Sequence, residues 1–309
     1  MRVVIALGGN ALLKRDEPMT VENQRRNVET AVKAILPLAE AHELIITHGN
    51  GPQVGLLALQ SMAYEPEQAQ PLDLLDAQSE GMIGYLIARE LTSMLPRDRH
   101  CVTLLTQIEI DADDPAFAKP TKPIGPLYDE DEARRLAQRR GWQIAPDSTG
   151  WRRVVASPKP QRIVEIEAIE LLAAEGVIVI CAGGGGIPIV AGQDGRLTGV
   201  EAVIDKDFAS ALLARALEAD ALLMLTDVDG VYRDWGEPGA RLIRRISPTA
   251  LNAYAFAPGT MGPKVEAACA FVTQTGGTAG IGALADAAGI LRDQAGTLIT
   301  ADAEDVVLG

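Results

Sequence analysis

Val3-Val4-Ile5-Ala6-Leu7-Gly8-Gly9-Asn10 opens the chain with five apolar residues, then two glycines and an amide. The apolar run is uncharged and does not alternate. That suits a strand buried on both faces of a parallel sheet. The same order returns twice. Leu44-Ile45-Ile46-Thr47 is closed by His48-Gly49-Asn50-Gly51-Pro52, and Val177-Ile178-Val179-Ile180-Cys181 runs into Ala182-Gly183-Gly184-Gly185-Gly186. In open α/β sheets, ligands bind outside the carboxyl ends of the strands, where these turns fall. Glycine lets the backbone come close to a phosphate, and a following helix offers unpaired N–H groups.

Helical segments separate the strands. Over 21–40, Val28, Ala31, Val32, Ile35 and Leu38 recur at helical spacing, with Thr20 as N-cap. Further helices are expected near 53–61, 75–95, 164–175, 207–218 and 262–275, and strands at 101–105, 222–225, 279–284 and 296–300. This alternation implies an α/β chain, an open three-layer αβα sandwich on a mainly parallel sheet. The stretch 109–160 breaks the rhythm. It carries Pro115, Pro120, Pro123 and Pro126, a charged helix near 129–140, and Arg152-Arg153-Val154-Val155, which reads as an exposed strand. It reads as a small protruding subdomain inserted in a single domain covering 1–309.

Composition narrows the function. The net charge is −14 and aromatic residues make up 4%, so a nucleic-acid partner is a poor expectation. No apolar run is long enough to span a bilayer, and the N-terminus shows no signal-peptide pattern, so the expected location is the cytoplasm. Cys101, Cys181 and Cys269 are far apart, with Cys101 and Cys181 in apolar runs that suit buried thiols. The cysteines and histidines show no metal spacing, and no Ser/His/Asp or Cys/His arrangement stands out. Neither a Walker P-loop nor a dinucleotide GxGxxG in its usual setting occurs. Phosphoryl transfer needs positioning and cancellation of charge. Lys122, Lys206 and Lys264 all sit beside turn chemistry, and flanking Pro, Gly and Asp fix the backbone around each. Carboxylates beside phosphates usually bring Mg²⁺. Asp205, Asp207, Asp227 and Asp229 lie at strand ends or in turns, though Asp227 and Asp229 equally suit turn formation and Asp207 equally suits a helix N-cap. His48 reads as a structural histidine before its turn, with a catalytic base as the alternative.

Together these motifs resemble the carbamate kinases of the amino acid kinase family. The resemblance runs nearly end to end. Its most specific pieces are 47–55, Pro120-Thr121-Lys122-Pro123-Ile124-Gly125-Pro126, 152–155, 183–188, 201–207 and Met261-Gly262-Pro263-Lys264. It implies a homodimer and an Mg²⁺-assisted, ATP-linked interconversion of carbamate and carbamoyl phosphate. ATP and ADP are then substrates. It also implies roles. Gly8, Gly9, Asn10, Gly49, Asn50 and Gly51 contact the small substrate and the moving phosphoryl group, supported by Gly183, Gly184 and Gly185. Lys206 and Lys264 neutralise developing charge, Asp207 orients them or contacts the metal, and Lys122 reaches in from the subdomain. Asp227, Asp229 and Tyr232, with Met261 and Gly262, lie near the nucleotide.

Many related amino acid kinases carry a lysine two residues before the first glycine, where this chain has Ala6. This points away from acetylglutamate, glutamate or uridylate kinases. There is also a departure. The family usually has Met-Ser/Thr-Gln-Gly before Met-Ile-Gly-Tyr, and here Gln78-Ser79-Glu80-Gly81 precedes Met82. Glu80 therefore motivates a second reading, in which the same fold phosphorylates another small carboxylate-like acid. A third reading, a nucleotide-binding regulatory protein without turnover, would be expected to have lost some of the lysines, and all three are present.

Overall fold

The opening strand, Arg2–Leu7, lies in the middle of a ten-stranded sheet. The computed structural model describes residues 1–13, 17–64, 69–147, 149–256, 261–303 and 306–309, with the side chains of Asn10 and Ala11 outside the description. Across the sheet the order is Val231–Arg233, Arg241–Ile246, Thr297–Ile299, Thr278–Ala283, Ala221–Thr226, Arg2–Leu7, Glu43–His48, Ile178–Ile180 and Cys101–Thr103, with Val307–Leu308 beside Arg241–Ile246. From Thr278–Ala283 to Cys101–Thr103 every pairing is parallel. Antiparallel partners join only at the other side.

The unalternating apolar run has the expected cause. Val4 and Ala6 pack into one core with Leu213, Phe271 and Ile169, from helices Lys206–Ala216, Met261–Thr275 and Ile166–Ala174. Val3, Ile5 and Leu7 pack into the other with Val28, Val32 and Ile35 of Val21–Ala41 and Ile83 and Ile87 of Leu72–Met94. Val3 through Leu7 are wholly buried. Each large side chain among them stabilises the fold by about 1.5–3 kcal/mol. Thr20 caps the first long helix as the sequence indicates, accepting from the Asn23 N–H at 3.2 Å.

The stretch 109–160 divides. Gln107–Ile110 and Pro160–Ile163 pair with each other in a four-stranded sheet with Ile187–Ala191 and Leu197–Gly199. Lys122–Tyr128, Gly150–Val155 and Gln143–Asp147 form a separate three-stranded sheet carrying the helix Glu130–Arg140. That helix is locally well specified. Asp129 accepts from Glu132 N at 2.8 Å, acids fill its first turn, arginines its last, and Gly141 ends it at φ 69°. Gly150–Val155 is the central strand of this unit, and Val154 and Val155 are buried, so it is not the exposed strand that its two arginines suggested. Cys101 is half-buried rather than buried, because its strand ends the large sheet. The unit touches the main body at backbone distance. A Cβ on Gly55, in the helix Gly51–Tyr64, would stand 2.2 Å from the Cα of Gly125.

Candidate active site

Parallel pairing places the glycine turns side by side. Leu7 is in register with His48, so Gly8–Gly9 and Gly49–Gly51 emerge together. Gly49 N–H donates to Leu7 O at 3.1 Å, and Gly8 N–H donates to Leu225 O at 2.9 Å. A Cβ on Gly49 would come within 3.2 Å of Gly9 N and 3.6 Å of Lys206 Cδ. At Gly9 and Gly51 it would meet nothing within 4 Å, which leaves open space over both. The third turn packs beneath. Ala182 adopts φ 49° and Gly184 φ 73°, and a Cβ on Gly184 would overlap the Asn50 amide. Gly183 is equally constrained by the His48 ring and Glu80. The Asn10 side chain lies outside the described residues.

The lysines converge on carboxylates. Asp207 sits buried between two ammonium groups, with Lys206 Nζ 2.5 Å from Oδ1 and Lys264 Nζ 3.0 Å from Oδ2. Burial would raise its pKa, but the two cations override this and hold the carboxyl below its usual range. Burial, together with Lys264, lowers Lys206, and Asp207 opposes that shift. The N-cap of Lys206–Ala216 is Asp205, not Asp207. Asp205 Oδ1 accepts from Asp207 N at 2.9 Å, and its Oδ2 receives Lys122 Nζ at 2.5 Å. The cap leaves the Asp207 side chain free to turn inward between the lysines. Lys122 thus reaches from the three-stranded unit to the turn that carries Lys206. The N-terminal turns of Lys206–Ala216 and Met261–Thr275 meet through Asp207 and Lys264, and Gly51–Tyr64 starts two residues after Gly49, which Lys206 approaches, an arrangement that favours anions. Met261 and Gly262 open the last of these helices, one turn ahead of Lys264.

Asp227, Asp229 and Tyr232 lie beyond Ala221–Thr226, on the other flank of Gly8. Tyr232 OH donates to Asp229 Oδ2 at 2.8 Å, and its ring packs edge-on against Trp235 at 5.1 Å. Asp227 Oδ1 accepts from Thr226 Oγ1 at 3.1 Å. The structure therefore gives Tyr232, Asp229 and Asp227 local partners beyond the same end of the sheet as the lysines.

The amino acid kinase family model matches residues 1–281. A carbamate kinase of Rhizobium meliloti is 54% identical over 308 residues, covering 99% of this chain and 95% of the relative. The chain belongs to the amino acid kinase family. The carbamate kinase of Pyrococcus furiosus is 44% identical over 310 residues, with 96% of this chain and 98% of the relative covered. A solved structure of the Giardia lamblia carbamate kinase bound to citric acid superposes with a TM-score of 0.91 at 40% identity, covering 97% of this chain and 98% of that one.

In this amino acid kinase, sequence reading missed Asp76 behind the turns and singled out Glu80 without placing it. Asn50 Nδ2 donates to Asp76 Oδ1 at 3.0 Å and to Ser79 Oγ at 2.9 Å, which fixes its amide. Asp76 is buried, and burial pushes its carboxyl well above the usual range. Glu80 faces neither open solvent nor an outer surface of the chain. Its Oε1 accepts from Gly183 N at 2.8 Å and its Oε2 from Thr106 N at 3.2 Å, and Thr106 Oγ1 accepts from Ala182 N at 2.8 Å. Glu80 thus pins the third turn from below. The only sequence signal for this was the carboxylate in place of the family's usual amide. His48 is buried with Nδ1 3.2 Å from Gly49 O, and burial holds it down to about 4, a neutral and structural ring.

Burial pushes the Glu80 carboxyl from 4.5 up to about 8. Between those values the unfolded chain has released a proton that the folded chain keeps, so stability falls as pH rises through the window. Glu80→Gln cannot titrate and is expected to remove a fall on the order of a few kcal/mol. Urea denaturation of both proteins at about pH 5 and about pH 8.5 measures it, with Asp76 common to both. Equal pH slopes in the two proteins would contradict it.

Proposed function

We propose that this amino acid kinase interconverts ATP plus carbamate and ADP plus carbamoyl phosphate. The observation that carries the reading is the Lys206–Asp207–Lys264 cluster against the backbone of Gly9 and Gly49. It supplies fixed positive charge where a phosphoryl group meets unobstructed glycine backbone. The position that holds a lysine in many relatives is Ala6, wholly buried in its strand. Lys122 supplies the missing cation from the three-stranded unit, which acts as the protruding subdomain over the site. The 54% identity to a carbamate kinase supports carbamate as the acid.

The transfer is direct. A β-phosphate oxygen of ADP attacks phosphorus, the bond from phosphorus to the carbamoyl oxygen breaks, and carbamate leaves with the electron pair. Lys206, Lys264 and Lys122 meet the charge on the equatorial and leaving oxygens. Gly8, Gly9, Gly49 and Gly51 offer backbone N–H groups, Asn10 and Asn50 their amides, and Gly183 to Gly185 back the substrate side. Asp227, Asp229, Tyr232, Met261 and Gly262 form the nucleotide end.

Both Asp207 oxygens already serve lysines, and the described residues contain no group of three that could hold a metal. Mg²⁺ would therefore be held mainly by the nucleotide phosphates, whose charge it would screen, with Asp207 as the carboxylate that would contact it. Leu74, Met82 and Tyr85 are exposed on the helix Leu72–Met94, which packs on Cys101–Thr103 through Gly84, and Leu105 is exposed just after that strand, whose outer side has no partner strand among the described residues. That face suits a homodimer. No helix of the described residues is long and apolar enough to cross a membrane, which fits a cytoplasmic enzyme.

The test is ATP formation from ADP and carbamoyl phosphate with Mg²⁺, read by a coupled hexokinase assay. Rapid, enzyme-dependent ATP formation is expected. ATP at background with folded protein would sink the reading, and faster turnover of another acyl phosphate would favour the alternative acid.

A further inference from the structure

Away from the lysines, the helix Gly51–Tyr64 and the three-stranded unit enclose a cleft of about 460 Å³. One wall is apolar, formed by Ala58, Met62, Leu72 and Leu75 from the helices of the main body. The other is cationic and comes from the three-stranded unit. It carries Arg139, Arg140 and Arg153 around Trp142. The Arg140 and Arg153 guanidiniums lie 5.5 Å and 5.1 Å from the indole centre.

Among the described residues these charges are poorly compensated. The only acid among the described residues that line the cleft is Glu201. Its Oε1 already accepts from Leu72 N at 2.8 Å, and its Oε2 stands 3.8 Å from Arg153. The Arg153 side chain is only 20% exposed. Burial lowers its pKa, so the folded protein bears a cost for keeping it charged. Arg140 Nε is buried without a hydrogen-bond partner among the described residues. In a chain of net charge −14, three guanidiniums that face one engaged carboxylate among the described residues form a local exception. Planar guanidiniums match carboxylate and phosphate oxygens in paired hydrogen bonds, and the volume suits a small molecule.

We propose that this cleft is a second anion site, separate from the lysine cluster, for a compact dianion such as a phosphate ester or a dicarboxylate. The ligand's charged groups lie on the arginines and its body lies against the apolar wall. Because the two walls belong to different parts of the fold, the bound ligand ties the unit that carries Lys122 to the helix Gly51–Tyr64.

Trp142 is a built-in reporter. In protein carrying Trp151→Phe and Trp235→Phe, Trp142 is the only tryptophan left. Inorganic phosphate and citrate are titrated separately, without nucleotide. A saturable change in Trp142 emission is expected for at least one probe, with half-saturation below about 1 mM. Which probe saturates distinguishes the phosphate source from the carboxylate one. Arg139→Gln/Arg140→Gln, at the solvent end of its helix, and Arg153→Gln are each expected to weaken binding at least tenfold with thermal unfolding otherwise retained. Lys264→Ala is expected to leave it unchanged. No saturable change with either probe, wild-type binding by a folded arginine variant, or loss of binding in Lys264→Ala would each overturn the proposal.

Discussion

Asp207→Asn is expected to cut turnover at least about a hundredfold and to lower stability by about 3 kcal/mol. Asp207 is 4% exposed, and each of its oxygens is taken by a different lysine. An amide keeps the shape but presents an NH₂ donor to one ammonium and removes the only charge between the two. Lys206, which burial already pushes down, then loses the partner that opposes the shift. It sheds its proton more readily, so charge leaves the place where the reaction needs it. Because the folded Asp207 carboxyl is held below its ordinary range, its contribution is complete above the unfolded carboxylate value, about 3.9. It is lost only as pH falls through the lower, folded value. The destabilisation should therefore be present throughout about pH 5 to about pH 8, and ease toward the upper end as Lys206 of the variant loses its proton. Chemical denaturation across that range, with turnover on the same samples, checks both parts. A variant with near wild-type rate and stability would mean that the lysines do not depend on this carboxylate.

Lys122→Ala is expected to lower turnover by roughly 10²–10³ while the ADP KM stays within about threefold. The ammonium comes from the three-stranded unit and not from the nucleotide flank, and its partner is Asp205, the cap of the helix that starts with Lys206. Its charge matters most when the phosphoryl group is between acceptor and leaving group. The ion pair is partly exposed, so its loss should change stability by less than about 1 kcal/mol. Steady-state kinetics with ADP and carbamoyl phosphate varied in turn, beside a melting curve, separate these effects. Parallel loss of rate and ADP affinity would assign Lys122 to nucleotide binding.

The boundary between what was legible and what was not follows the range of the forces. The unbroken apolar run of 3–7 is a local pattern, and both of its faces proved to be buried. Thr20 and Asp129 both cap their helices through contacts three residues away, a range that adjacent sequence spans, and Thr20 was legible as such. The Arg152–Val155 stretch misled because its central position depends on partners at 122–128 and 143–147. Asp207 was misplaced as a possible cap because Asp205, two residues earlier, competes for the same helix end with the same chemistry.

The sequence by itself determined the α/β alternation, the three glycine turns, the lysines and the family they resemble. Each depends on residue type at short spacing, where backbone geometry leaves few choices. Tertiary structure alone decided how those parts meet. Lys264 reaches Asp207 across 57 residues, Lys122 reaches Asp205 across 83, and Glu80 supports Gly183 across 103. Those distances close through the parallel register of the sheet and the packing of helices on it. No local pattern encodes them, because burial and charge compensation are properties of the assembled core.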